Sequence, residues 1–190
     1  MAAPGMDADD FFRRLITALE ESGIPYMVTG SYASSAHGVP RATNDIDIVI
    51  APSRTQLEVL MAKLPPDRYY AEIEDAFDAL DHRSQFNVID FATTWKADLI
   101  VKKNRPFSER EFARRRVHAV AGLNVSLARA EDILIAKLEW FREGQSARQI
   151  EDAAGIIRRQ GTALDRSYVE HWVRELGLEA EWQMALSAAN

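Results

Sequence analysis

The sequence predicts a mixed α+β (α/β) fold: a small, twisted, mixed sheet with flanking helices, followed by a helical C-terminal subdomain. Three observations predict it. Short apolar strands alternate with amphipathic helices over roughly the first two thirds of the chain. Two β-rich runs, 85–91 and 95–101, are joined only by Ala92-Thr93-Thr94, the spacing of a hairpin. From Ala130 onward only helical periodicity remains. The change near residue 125 divides the chain into 1–125, the mixed core, and 126–190, the helical part.

The elements follow in order. Residues 7–22 read as a helix, because Phe11, Phe12, Leu15, Ile16 and Leu19 share one face at a period near 3.6. Asp7 or Asp9 caps it and Gly23 stops it. Residues 25–29 form a short apolar strand that ends at Gly30-Ser31. Residues 32–37 are small and helix-compatible; Gly38 closes them and Pro40 forbids continuation. Residues 45–50 alternate acid and apolar side chains, the period of a strand. Pro52-Ser53 is a break before an amphipathic helix at 54–63, with Leu57, Leu60, Met61 and the following Leu64 inward. Pro65-Pro66 turns the chain, and 69–80 is ambiguous, with an acidic and alanine content that allows a helix. After the hairpin come a short basic helix at 108–116 and a second hairpin at 117–125 around Gly122. Helices are expected at 131–143, 148–159, 167–176 and 179–188, with Trp140, Trp172 and Trp182 in the core.

Composition narrows the function classes. The chain has 190 residues, with 47% hydrophobic and 27% charged, a globular mix that excludes disordered and fibrous classes. Cysteine is absent, which excludes disulfides, a thiol nucleophile and Cys-ligated zinc or iron–sulfur sites. That fits a reducing compartment. The net charge of -6 rules out general attraction to polyanions, so a nucleic-acid contact needs a local patch. No apolar run approaches the ~20 residues that cross a bilayer. The first ten residues lack the basic and apolar regions of a secretory leader. A cytoplasmic location without a membrane partner is therefore expected.

One constellation points to chemistry. Gly30-Ser31 follows a strand, and Asp45-Ile46-Asp47 opens another. Alternate residues of a strand point to one face about 6.5 Å apart, so Asp45 and Asp47 can share a metal pair. Asp98, between Ala97 and Leu99 in a later strand, is the candidate third acid. Asp90, which also ends a β-rich run, is its rival. Three carboxylates supply the hard oxygen donors that suit Mg2+. Two such ions stabilise the attacking and leaving oxygens of an in-line displacement at phosphorus. Glycine lets the backbone approach a phosphate, and the helix N-terminus behind it offers N–H groups and a positive dipole end. Ser31 adds a hydroxyl.

Gly-Ser, a spacer, Asp-x-Asp in an apolar strand and a later strand Asp resemble the signature of the DNA polymerase beta-like nucleotidyltransferase superfamily. The stretch TGSYASSAHGVPRATNDIDIVIAPS looks like the small prokaryotic nucleotidyltransferases of the AbiEii-like, abortive-infection type. The strand WKADLIV resembles their third-acid strand, and EDILIAKLEWFREG with RQIEDAAGIIRRQG is similar to their C-terminal helices. The likeness covers roughly residues 25 to 160. It implies a sheet of nucleotidyltransferase type and transfer of a nucleoside monophosphate from an NTP to a hydroxyl acceptor, with release of pyrophosphate. It also implies Mg2+ or Mn2+ on Asp45, Asp47 and Asp98, with Asp98 helping to deprotonate the acceptor. Gly30 and Ser31 match the phosphate-binding pair. The implied acceptors are an RNA end such as tRNA, a protein hydroxyl or a small molecule such as an antibiotic. A toxin with an antitoxin partner belongs to the same implication.

Further residues are candidates. Arg41 and Thr43, in the loop before the acids, are read as a phosphate contact and a loop-ordering residue, or as a plain polar loop. Lys137 is either a nucleotide contact or a lysine snorkelling from an apolar helix, with Asp152 as a candidate partner that orients it. His37 reads as a helix-end residue. Residues 102–116 hold seven basic and two acidic side chains, a track for a nucleic-acid acceptor or a solvated face. The competing reading of the whole is a catalytically silent nucleotide-binding, regulatory or partner-binding module with the same fold.

Overall fold

The computed structural model describes residues 4–37, 45–120 and 122–189. The chain forms two compact units, one drawing on 1–28 and 43–127 and the other on 29–42 and 128–190. In chain order the first elements are α1 (Pro4–Glu21), β1 (Tyr26–Thr29) and α2 (Gly30–His37). Then come β2 (Asp45–Ile50), α3 (Arg54–Ala62), β3 (Tyr69–Tyr70), α4 (Ile73–His82), β4 (Gln85–Asp90) and β5 (Lys96–Val101). They are followed by α5 (Pro106–Arg114), β6 (Arg116–Val120) and β7 (Leu123–Leu127). The helical remainder is α6 (Ala130–Gly144), α7 (Ala147–Gln160), α8 (Arg166–Leu176) and α9 (Glu179–Ala189).

The sheet belongs to the first unit and runs β3-β4-β5-β2-β1-β7-β6. It is mixed: β2 lies parallel to β5 and β1 parallel to β7, while β3–β4, β4–β5 and β6–β7 are antiparallel. Strand alternation sorts its side chains. Ile46, Ile48, Ile50, Phe86, Val88, Ala97, Leu99 and Val101 lie on one face at 3% exposure or less. The predicted stripe of α1 is fully inward, with Phe11, Phe12, Leu15, Ile16 and Leu19 at 1% exposure or less. Each such side chain contributes about 1.5–3 kcal/mol by burial.

Local chemistry sets the boundaries. α3 begins in a capping box: the Ser53 hydroxyl accepts from the Gln56 N–H at 3.3 Å, and the Gln56 side chain accepts from the Ser53 N–H at 2.8 Å. The ambiguous stretch resolves into both options. Buried Tyr69 pairs with Asp90 as a short strand, and α4 starts only at Ile73, with Glu74 and Asp75 in its first turn. α5 starts at Pro106, earlier than periodicity suggested, because proline fits the first helical position. Arg115 then leaves the helix and Arg116 opens β6, so the basic run is split among a loop, a helix and a strand. Gly122 turns the β6–β7 hairpin at a φ of +77°, and a Cβ there would press on the Arg13 guanidinium at 3.2 Å.

In the second unit α2 packs on α6 and α7, and α9 on α7. Ile133, Leu134, Leu138 and Phe141 of α6 are buried, as are Ala153, Ala154, Ile156 and Ile157 of α7. Asp165 caps α8 by accepting from the Tyr168 N–H at 3.0 Å. The Tyr168 hydroxyl donates to buried Asp132 at 2.6 Å. Arg142 and Arg158 each donate at 2.7 Å to a terminal carbonyl, that of Leu176 on α8 and of Ala188 on α9. Of the three tryptophans expected in the core, Trp182 is buried, Trp172 is half-buried and Trp140 is 48% exposed. Trp140 falls on the outward stripe of α6, one residue short of the buried Phe141.

Candidate active site

The acidic side chains of β2 stand opposite its apolar ones. Ile46 and Ile48 point into the core, which turns Asp45 and Asp47 to the other face. β5 repeats the pattern: Ala97 and Leu99 are buried, so Lys96 and Asp98 share the acids' face. The parallel register joins the two strands row by row. Asp45 lies beside Lys96, and Asp47 lies beside Asp98. On the far side of Asp98 comes Asn87 of β4, which is exposed.

Two carboxylates directly opposed on neighbouring strands repel each other. Lys96 relieves the repulsion. Its ammonium donates to Asp98 Oδ2 at 3.2 Å, lies 3.2 Å from Asp98 Oδ1 and 3.7 Å from Asp45 Oδ1. Burial alone would lower the Lys96 pKa. The hydrogen bond to Asp98 and the fields of Asp98, Asp45 and Asp47 outweigh burial and raise it. The fields of all three acids thus reach the Lys96 ammonium, which touches Asp98 and lies near Asp45.

Asp90 is elsewhere. It extends the buried face of β4, after Phe86 and Val88, and is fully buried. Arg14 donates to it at 2.7 Å, the Ala92 N–H at 3.1 Å, and Arg68 lies 3.9 Å away. It fastens α1 to the β4–β5 hairpin and stands across the sheet from Asp47 and Asp98.

Gly30 and Ser31 begin α2 in the second unit, directly after β1. Gly30 has a φ of +64°, so its glycine is needed for the strand-to-helix turn itself. Arg41 and Thr43 lie outside the described residues. Lys137 is buried, and its ammonium meets Asp152 Oδ2 at 2.7 Å and Gln149 Oε1 at 3.3 Å. Asp152 is thus the partner of Lys137. Three of the seven basic side chains of the run have local partners: Lys102 meets Glu109, Arg105 meets Ser108 at 3.0 Å, and Arg115 lies over the Phe112 ring at 4.2 Å.

Lys96 and Asn87 received no role from the sequence. The signal was the two-residue period within WKADLIV, which puts Lys96 on the side of Asp98.

A hard divalent cation suits this donor set. All three candidates are carboxylates, and Asp98 Oδ1 is a buried oxygen without a hydrogen bond. Among the described residues no three His, Cys, Asp or Glu side chains are closed around a single metal position. The Lys96 ammonium stands against Asp45 and Asp98 instead.

No protein-family model matches the chain, and no curated protein is significantly similar to it. Solved structures share its fold. The solution structure of the antibiotic-resistance factor ANT(2'')-Ia aligns with a TM-score of 0.60 at 16% identity, covering 94% of this chain and 98% of that one. The crystal structure of ANT(2'')-Ia in complex with adenylyl-2''-tobramycin aligns with a TM-score of 0.56 at 16% identity, covering 92% and 98%. An antigenic nucleotidyltransferase-like protein from Paracoccidioides brasiliensis aligns with a TM-score of 0.50 at 18% identity, covering 96% and 93%. The chain has a fold that nucleotidyltransferases use, with a mixed seven-stranded sheet and flanking helices.

Proposed function

We propose that this chain is a nucleotidyltransferase that moves a nucleoside monophosphate from an NTP to a hydroxyl acceptor. One observation supports this above the others: Asp47 and Asp98 are in register on adjacent parallel strands, with Asp45 on the same face. In the proposed reaction the acceptor oxygen attacks the α-phosphorus, the bond to the pyrophosphate breaks, and pyrophosphate leaves. Asp45, Asp47 and Asp98 would hold Mg2+ or Mn2+, which would neutralise the charge developing on the phosphoryl oxygens. Asp98 is proposed to take the acceptor's proton.

Gly30 and Ser31 are proposed to take phosphate oxygens through backbone N–H and hydroxyl groups. Arg41, Thr43 and Lys137 remain proposed nucleotide contacts, with Lys137 oriented by Asp152. For the acceptor we favour a small polyhydroxylated molecule. A fold neighbour carries an adenylylated aminoglycoside. Three of the basic side chains of 102–116 that would track a nucleic acid, Lys102, Arg105 and Arg115, are held by local partners. A tRNA or protein acceptor, as for an abortive-infection toxin with its antitoxin, is the other branch.

The test uses the full chain with Mg2+ and labelled NTPs. Three acceptor pools are supplied: aminoglycosides, total tRNA and lysate protein. Label on the first pool that vanishes in Asp47→Asn is the expected result. Label on tRNA or protein would redirect the acceptor. Absence of label from every pool, with the protein folded, would reject the transferase in favour of a silent nucleotide-binding module.

A further inference from the structure

We propose that Lys96 is a built-in counter-cation that competes with the divalent ion for the oxygens of Asp45 and Asp98, and so ties uptake of that ion to the arrival of the phosphate-bearing substrate. This rests on the reading of the three acids as the ion's ligands.

The geometry is specific. Lys96 comes from the same strand as Asp98, two residues earlier, and sits beside Asp45 in the register. Its nitrogen lies 3.2 Å from both oxygens of Asp98 and 3.7 Å from Asp45 Oδ1. A cation that takes either Asp98 oxygen meets this ammonium at close range, and the two positive charges repel. The lysine must therefore move when the ion enters. It can do so, because its side chain is 35% exposed and ends in a compact, well-hydrated charge on a flexible stem.

Displacement costs less when the ammonium has somewhere to go. Triphosphate oxygens supply such a partner, and carboxylates do not follow the lysine outward. Ion and nucleotide then assist each other's binding by the same factor. A lysine here also offsets the repulsion between Asp47 and Asp98, so the acids can be held side by side before any ion arrives.

The experiment measures Mn2+ binding to the full chain by calorimetry and electron paramagnetic resonance, with and without a non-hydrolysable NTP. Lys96→Met is expected to bind Mn2+ about tenfold more tightly than wild type without nucleotide, and to gain less from the nucleotide. Lys96→Arg, which keeps the charge, should behave like wild type. Thermal melts supply a second readout: Lys96→Met melts lower, and Mn2+ restores it more than it shifts wild type. Equal or weaker Mn2+ binding by Lys96→Met, with binding still lost in Asp47→Asn, overturns the role of Lys96 and leaves the acids as ligands. Mn2+ binding that is indifferent to Asp47→Asn overturns both.

Discussion

Asp47 and Asp98 illustrate a conflict between stability and chemistry at the scale of single residues. Their opposition on neighbouring strands costs folding energy, and a site that gathers anions is useful only when a cation joins it. Asp47→Asn should leave the fold unchanged or stabilise it by about 0.5 kcal/mol. The same variant should lower transfer roughly a hundredfold or more, measured as initial rate beside a thermal melt. Tyr26 gives a prediction of another kind. Burial first, and then the Glu20 carboxylate that accepts from its hydroxyl at 2.9 Å, raise its pKa far above the ordinary 10.0. Folding therefore favours the protonated phenol, and this contribution is complete below the ordinary value. It disappears as pH climbs from there toward the raised one. Denaturant titrations from roughly pH 10 upward should show wild type losing stability faster than Tyr26→Phe.

At the scale of elements, a part-buried ion pair clamps α6 to α7. Lys137 is 4% exposed and Asp152 sits 2.7 Å away. Removing the cation alone takes a charged hydrogen-bond partner from a part-buried carboxylate, so Lys137→Met should cost about 1.5–3 kcal/mol in urea denaturation. Adding Asp152→Leu should return most of that loss. If the repaired double variant still fails to bind nucleotide, Lys137 contributes to binding as well as to packing. Much at this scale was legible in the chain. The stripe at Phe11, Leu15 and Leu19, the alternation of 45–50 and the three-residue link at 92–94 each name their element through its period. The limits were physical too. Tyr69 becomes a strand only because Asp90 is there to pair with it, and Arg115 leaves its helix to feed an edge strand. Asp90 and Asp98 look alike in the sequence, and only the sheet register puts one in the core and the other beside Asp47. Lys96 was readable by parity alone, yet its meaning needed the neighbouring strand.

For the whole molecule, the division into units does not follow the chain. Helix α2 (Gly30–His37) leaves the sheet unit and joins the helices that begin after residue 127. A chain ending at Leu127 would keep every strand but strand α2, whose partners α6 and α7 would be missing. Such a truncation should be poorly soluble and melt without cooperativity by circular dichroism, and supplying 128–190 in trans should restore a sharp transition. Cooperative melting of the truncated chain alone would contradict this. The same excursion has a consequence during synthesis. The ribosome releases His37 long before Ala130, and at about 5–20 residues per second α2 waits for many seconds before its partners exist. Translation speed across the intervening codons thus sets how long an unfinished helix is open to wrong neighbours in the crowded exit of the ribosome.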